Sequence, residues 1–202
     1  SIVNYVDLLK KEDVQPEKAK EYIAVLDRQS ARLKKLTEDL VEASKASSGT
    51  LPVHLEAVDV NVLLSQVSGE YQSRFELCKL EKLSSEDPQI LADGKLLWRV
   101  FDNLLSNICK YAMPGTRVYF TSEVQDGRVS ISFKNISNYP LDITADELLE
   151  RFVRGDSSRS TEGSGLGLSI AQSLTGLQKG TFDLVVDGDL FKANLSFPLL
   201  NA

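Results

Sequence analysis

The N-terminal part of the chain carries apolar side chains at helical spacing. Residues 1–11 present one apolar face, which predicts the end of a helix. A second, long helix is predicted over about Glu17–Lys45, after a turn in which Pro16 suits the first helical turn. Its apolar and small positions alternate in heptad steps, as in a helix-pairing seam. These positions are Ile23, Leu26, Ser30, Leu33, Thr37, Leu40 and Ser44.

Two helices joined by a short turn form a hairpin whose apolar stripe is not buried by the hairpin alone. Pairing two hairpins into a four-helix bundle buries it, so we expect a homodimer. The alternative is that the hairpin packs on its own domain. Gly49 and Pro52 are typical of a helix end. We therefore place the hairpin at residues 1–48 and a second domain at residues 52–202.

The second domain alternates short strand patterns with helical ones, which predicts an α+β sandwich with a mixed sheet covered on one face by three long helices. Asp59 is the expected N-cap of a helix that carries Val62, Leu63 and Val67. Further helices are predicted at Lys95–Tyr111, Asp146–Phe152 and Leu166–Leu177. The predicted strands are Val53–Ala57, Leu80–Ser84, Gln89–Ala92, Arg117–Val124, Arg128–Asn135, Phe182–Val186 and Leu190–Phe197.

Composition removes several classes of function. A net charge of −6 argues against a general nucleic-acid binder. No run has the length of a membrane span, and no signal peptide is evident. Cys78 and Cys109 have no metal-like spacing and suit two free thiols in a reducing cytosol. The chain starts within an apolar-periodic pattern at Ser1, which indicates a piece of a longer protein.

A glycine-rich run, Gly163–Ala171 (GSGLGLSIA), leads into the last predicted helix. Glycines allow close backbone approach, and a helix N-terminus offers N–H groups and partial positive charge, so together they suit a phosphate. No Lys follows the last glycine as in a Walker A loop, and no strand leads in as in a Rossmann fold. The alternative is a flexible loop with a glycine at the helix start.

Two amides interrupt the apolar pattern of the predicted helix Lys95–Tyr111. Asn103 and Asn107 are four residues apart and share a helix face, with Lys110 and Tyr111 one turn further. An unpaired buried amide is costly, so these groups need polar partners. Either they bond to neighbouring backbone, or one is a neutral oxygen ligand for a Mg²⁺ ion whose other ligands are phosphate and water.

Three segments, in this order, resemble the nucleotide-binding boxes of sensor histidine kinases. Asn103–Tyr111 (NLLSNICKY) resembles the N box, Glu150–Asp156 (ERFVRGD) the F box and start of the ATP lid, and Gly163–Ala171 the second glycine box. The upstream hairpin resembles part of the family's dimerisation and phosphotransfer hairpin. The resemblance implies the Bergerat ATP-binding fold shared with gyrase-type ATPases. It also implies ATP and Mg²⁺ as ligands, a homodimer and a response-regulator partner.

The resemblance also assigns roles to residues. It makes Asn107 the Mg²⁺ ligand, with Asn103 supporting it and the phosphates and Lys110 contacting phosphate. Tyr111 lies beside the nucleotide. Phe152 anchors the lid, and Arg154 reaches the terminal phosphate with Arg159 as a second candidate. Gly163, Gly165 and Gly167 hold phosphates and hinge the lid. The neighbouring Ser164, Leu166 and Leu168 also line the nucleotide.

Two features depart from the family pattern. Where the family has Asp-x-Gly-x-Gly, this chain has Asn135 at the Asp position and no glycine within Phe133–Tyr139. An Asn oxygen still accepts a hydrogen bond from the adenine amino group, but without charge. The family's phosphorylated histidine would lie before Ser1. His54 suits an ordinary strand side chain, so the chain alone is not expected to phosphorylate itself.

The alternatives are a nucleotide-binding regulatory module that transfers no phosphate, and another ATPase or protein-serine kinase of the same fold. The hairpin directly before the domain argues against the latter. The resemblance places this part of the protein in the cytoplasm and implies a membrane anchor in the longer protein.

Overall fold

The computed structural model describes residues 2–10, 15–71, 78–82, 87–150 and 165–200. The chain divides into two compact units, Ser1–Val41 and Glu42–Ala202. Among the described residues, no helix is both long enough and apolar enough to cross a membrane.

The smaller unit is helical, as its apolar spacing predicts. Helix α1 spans Ile2–Leu9, and α2 begins at Pro16 and ends at Ser47, so only its first part belongs to this unit. The rings of Tyr5 and Tyr22 pack with centroids 5.6 Å apart and join the two helices. Several apolar positions of α2 remain in solvent, among them Ile23 at 56% and Leu33 at 54% exposure.

The larger unit contains a mixed five-stranded sheet in the order β2-β4-β5-β7-β6 and a two-stranded ribbon, β1-β3. In the larger sheet, β2 and β4 are parallel and the other described pairs are antiparallel. The hairpin β4–β5 turns at Asp126 and Gly127, which both have positive φ. The strands are β1 Glu56–Asp59, β2 Cys78–Lys82, β3 Gln89–Ala92, β4 Val118–Gln125, β5 Arg128–Ile136, β6 Thr181–Asp187 and β7 Leu190–Pro198.

The helices described beside the sheets are α3 Val60–Tyr71, α4 Gly94–Tyr111, α5 Ala145–Leu149 and α6 Gly167–Leu177. Alternate residues of β7 are buried, so one face of the sheet forms the core. Phe101 of α4 packs against that face, and the centroid of its ring lies 5.5 Å from that of Phe133 on β5. The buried face of α4 consists of Leu97, Val100, Phe101, Leu104, Leu105 and Ile108.

Asp93 fixes the start of α4. Its Oδ1 accepts hydrogen bonds from the N–H groups of Lys95 and Leu96, and its Oδ2 from that of His54 at 2.9 Å. Burial of this carboxylate raises its pKa, but the three backbone hydrogen bonds outweigh burial and hold the pKa below its ordinary value of 3.8. The backbone N–H of Asp93 in turn donates to Oε1 of Gln178, which follows α6. The start of α4 is thereby tied to the end of α6.

The predicted position of the first strand, Val53–Ala57, is wrong. The strand is Glu56–Asp59, and it pairs antiparallel with β3 outside the five-stranded sheet. His54 therefore precedes β1, and it is exposed. The Asp93 carboxylate, and not hydrogen bonds to a neighbouring strand, holds the backbone of this segment. The strand predicted over Leu80–Ser84 is displaced to Cys78–Lys82, and the helix predicted over Asp146–Phe152 ends at Leu149.

Candidate functional site

The end of α4 is joined to the end of β5 by backbone hydrogen bonds. The N–H of Asn138 donates to the carbonyl of Tyr111 at 2.7 Å, and that of Met113 to the carbonyl of Ile136 at 2.8 Å. A bridge between Ala112 and the residue after β5 closes the same junction. The last turn of α4 and the end of β5, which carry candidate site residues, are therefore held together by the main chain.

Asn135 on β5 carries a buried acceptor oxygen. The residue is 3% exposed, and its Nδ2 donates to the carbonyl of Ile136 at 3.1 Å. Its Oδ1 is buried and has no hydrogen-bond partner among the described residues. Leaving a buried acceptor unsatisfied costs about 1–3 kcal/mol, so this oxygen is a candidate to accept a hydrogen bond from a ligand. Because Nδ2 is engaged, the free group is the oxygen.

Asn103 joins α4 to the glycine segment. Its Nδ2 donates to the carbonyl of Arg99 at 2.9 Å, which is the bond to neighbouring backbone that one interpretation of the sequence predicts. Its Oδ1 lies at the start of α6, where a Cβ built on Gly167 would stand 3.3 Å away. Glycine at this position therefore leaves room for the amide. The structure brings two sequence-predicted site segments into contact here.

Asn107 is half-buried one turn after Asn103, and its side chain makes no hydrogen bond with any other described residue. Lys110 is exposed and Tyr111 is half-buried. The last turn of α4 thus presents an amide, an ammonium and a phenol at the junction with β5. Among the described residues, no group of three or more His, Cys, Asp or Glu side chains is arranged to hold a metal. A metal ion bound at this turn of α4 would therefore be coordinated by the side-chain oxygen of Asn107.

The glycine segment enters α6 through a sharp turn. Gly165 has a φ of 71°, a conformation that favours glycine. Leu166 is fully buried and Leu168 is half-buried, and no side chain of the described residues caps α6 with a hydrogen bond. The Ser169 hydroxyl donates to the Leu166 carbonyl at 2.9 Å. The backbone N–H groups of the first turn are thus not used by a side-chain cap among the described residues, which suits a phosphate-binding helix N-terminus.

Five predicted site residues lie outside the described residues: Phe152, Arg154, Arg159, Gly163 and Ser164. The structure describes Asn103, Asn107, Lys110, Tyr111, Asn135, Gly165, Leu166, Gly167 and Leu168. A further polar group, absent from the sequence-based prediction, lies beside Asn103 and includes Arg99, Asp102 and Tyr71. The three-residue spacing of the Arg and the Asp on one helix is the signal that would have suggested part of it.

Comparison with known proteins gives consistent matches. The family described as Histidine kinase-, DNA gyrase B-, and HSP90-like ATPase matches residues 92–197, just over half of the chain. The chain is 30% identical over 180 residues to the sensor protein VanS of Enterococcus faecium, covering 86% of this chain and 46% of VanS. It is 29% identical over 164 residues to the signal transduction histidine-protein kinase BaeS of Escherichia coli K12, covering 79% of this chain and 35% of BaeS.

Among solved structures, the chain resembles that of the histidine kinase ThkA in complex with the response regulator protein TrrA. The TM-score is 0.70 at 18% identity, over 98% of this chain and 56% of that one, and this likeness concerns the fold. The chain spans less than half the length of the two curated relatives.

Proposed function

Because the chain belongs to the histidine kinase-, DNA gyrase B- and HSP90-like ATPase family and carries the ATP-binding domain of a sensor histidine kinase, we propose that it binds ATP with Mg²⁺ and transfers the γ-phosphoryl group to a histidine for relay to a response regulator. The acceptor in this proposal is a histidine of the complete protein other than His54. The observation that carries the proposal is the buried Oδ1 of Asn135, which has no hydrogen-bond partner among the described residues.

Asn135 suits the exocyclic amino group of adenine. Its Nδ2 is held by the Ile136 carbonyl, so the oxygen is the free end of the amide and requires a donor. Adenine presents an amino donor at that edge, whereas guanine presents a carbonyl acceptor. The site therefore selects ATP over GTP, although it has a neutral amide where the family has a carboxylate. The bond is independent of pH because no titratable group takes part.

The phosphate end is assigned to α4 and α6. The resemblance assigns the Mg²⁺ ligand to Asn107, whose amide makes no hydrogen bond with other described residues. A single protein oxygen suits an ion that keeps waters and phosphate oxygens as its other ligands, and the ion neutralises charge on the phosphates. Lys110 and the start of α6 supply further positive potential. Arg154 and Arg159 are proposed to contact the terminal phosphate.

Phosphoryl transfer to an imidazole requires little covalent help from the protein. It requires that the acceptor nitrogen be held in line with the leaving oxygen at about 3–3.5 Å and that charge on the phosphates be neutralised. The residues of this chain hold the nucleotide at both ends, and a neutral imidazole nitrogen is already a nucleophile. The chain is accordingly proposed to supply the donor half of the reaction.

We propose that the protein is a homodimer through the α1–α2 hairpin, on which exposed Ile23 and Leu33 continue the heptad seam. Leu33→Glu should convert the dimer to a monomer, because a charge would be buried in the interface. Ala31→Glu adds the same charge at an exposed position off the seam and should leave the dimer intact. Light scattering separates these outcomes, and a dimer retained by Leu33→Glu would assign the interface elsewhere.

Isothermal titration calorimetry with ATP, in the presence and absence of Mg²⁺, tests the proposed function. We expect binding that Mg²⁺ strengthens, followed by acid-labile labelling of a histidine when the complete protein is given radiolabelled ATP. Absence of binding at millimolar ATP would refute the proposal. Binding without transfer in the complete protein would instead favour a regulatory nucleotide-binding module, which the altered Asn135 segment would suit.

A further inference from the structure

Three helices of the larger unit are linked by a chain of polar contacts around Arg99. The Nε–H of Arg99 on α4 donates to Oε2 of Glu42, near the end of α2, at 3.1 Å. Its Nη1 lies 3.7 Å from Oδ2 of Asp102. The other oxygen of Asp102 accepts a hydrogen bond from the hydroxyl of Tyr71, the last residue of α3. Arg99 thus bridges two carboxylates with two different nitrogens, which a lysine would not do.

The same turn of α4 contacts the proposed nucleotide site. The backbone carbonyl of Arg99 accepts the hydrogen bond from Nδ2 of Asn103 at 2.9 Å. That bond turns Oδ1 of Asn103 toward Gly167, at the start of α6. The guanidinium of Arg99 therefore engages α2, while its carbonyl orients an amide at the phosphate end of the site.

Glu42 is anchored by its neighbours. Ala43 and Ala46, which follow it on α2, are only 3% and 4% exposed and belong to the hydrophobic core of the larger unit. The last turns of α2 are thus packed into that unit, and Glu42 presents its carboxylate from a fixed backbone. Its side chain is 21% exposed and that of Arg99 30%. Partly exposed ion pairs of this kind contribute too little free energy to decide folding.

We propose that Arg99 is a positioning residue through which the end of α2 sets the placement of Asn103 at the phosphate end of the nucleotide site. The inference rests on the proposed function, because it assumes that Mg²⁺-bound phosphates occupy this end. Loss of the Glu42–Arg99 contact lets the turn that carries Asn103 relax. The expected consequence is weaker binding of the Mg²⁺-phosphate part of ATP, while the contact of adenine with Asn135 is unchanged.

Calorimetry with ATP measures the dissociation constant in EDTA and in Mg²⁺. The ratio of the first to the second is the Mg²⁺-dependent gain in affinity. We expect Glu42→Gln to reduce the Mg²⁺-dependent gain in affinity by about two- to fivefold and to leave affinity in EDTA unchanged. Arg99→Gln should do the same, and the double variant should lose no more than the larger single loss, because both changes remove the same Glu42–Arg99 contact. Lys95→Gln removes an exposed positive charge one helical turn earlier and should have no effect.

A structural role without positioning would lower the unfolding midpoint or weaken binding equally with and without Mg²⁺. Either result, or an unchanged ratio in Glu42→Gln and Arg99→Gln, overturns the inference. If Arg99→Gln does not fold, Tyr71→Phe replaces it in the test. This variant removes the hydrogen bond that holds Asp102, the second carboxylate beside Arg99, and should also lower the ratio. Failure of the wild-type chain to bind ATP would refute the proposed function. The side-chain amide resonances of Asn103 test the contact separately, since they should shift in Glu42→Gln and not in Lys95→Gln.

Discussion

Asn135 and Asn107 represent the two ends of the proposed nucleotide site, and the protein holds them differently. Asn135 lies on a central strand and is 3% exposed, with its amide nitrogen engaged and its oxygen left over. The side chain of Asn107 is half-buried on α4 and makes no hydrogen bond with other described residues. The proposed adenine end is therefore preformed, because the sheet fixes one acceptor in one orientation. At the proposed phosphate end, the Asn107 amide has no such bond and would take its orientation from the ligand.

This difference predicts that the two ends act separately. Changes at the adenine end should weaken binding of the base with or without Mg²⁺. Changes at the phosphate end should act on the Mg²⁺-dependent step. Single substitutions at each end, with matched controls, test that separation.

Asn107→Ala and Asn107→Asp should each reduce phosphoryl transfer in the complete protein by about two orders of magnitude or more. The Ala variant loses the proposed ligand oxygen, and the Asp variant places a negative charge beside the phosphates. The label transferred from radiolabelled ATP is the measurement, with the circular dichroism spectrum expected to stay unchanged. Near-normal transfer by both variants would assign the metal to other residues.

Asn135→Ala should weaken ATP binding about tenfold, both in Mg²⁺ and in EDTA, because the adenine amino group loses its acceptor. It should also reduce the preference for ATP over GTP. Asn194→Ala is the matched control, since Asn194 is on the adjacent strand β7, on the face of the sheet away from the core. Calorimetry that finds no effect of Asn135→Ala would move the adenine contact elsewhere.

Gly167→Ala should reduce the Mg²⁺-dependent gain in ATP affinity by about three- to tenfold and leave affinity in EDTA unchanged. Its new Cβ would lie 3.3 Å from Oδ1 of Asn103 and displace that amide. Gly176→Ala, on the same helix, places its Cβ in open space and should leave binding unchanged. Equal effects of the two variants would point to helix propensity instead of the contact with Asn103.

Asp93→Ala should lower the free energy of unfolding at pH 7 by about 1 kcal/mol, because α4 loses its N-cap. The folded-state pKa of Asp93 is lowered, so its stabilising effect is present above pH 3.8 and is lost as pH falls through the folded-state pKa. Urea titrations at pH 7 and at pH 3 compare the free energy of unfolding of wild type with that of Asp93→Asn. The difference between the two proteins should be smaller at pH 3. A difference that grows on acidification would contradict the lowered pKa. Neither end of the nucleotide site should be affected selectively.

Local features of the sequence determined the helices and most strands. The apolar periodicity of Lys95–Tyr111 predicted α4 and its buried face, and the strand patterns of Arg117–Val124 and Arg128–Asn135 predicted β4 and β5. Asp59 accepts a hydrogen bond from the N–H of Val62, as expected of the N-cap of α3. These features depend on spacing and on turn chemistry, which neighbouring residues specify without reference to the rest of the chain. The order of three motifs likewise indicated the family, which the comparisons confirm.

Contacts between distant residues were decided only by the tertiary structure. The strand near His54 was misplaced because a carboxylate 39 residues away holds that segment. The sequence placed Asn135 at the adenine position, but its free oxygen follows from the Ile136 carbonyl that engages Nδ2, a matter of backbone geometry. The Glu42–Arg99 contact joins residues 57 positions apart, and no local pattern encodes such a pair. Periodicity specifies which face of an element is apolar, whereas the folded chain determines which polar atoms meet and which one is left for a ligand.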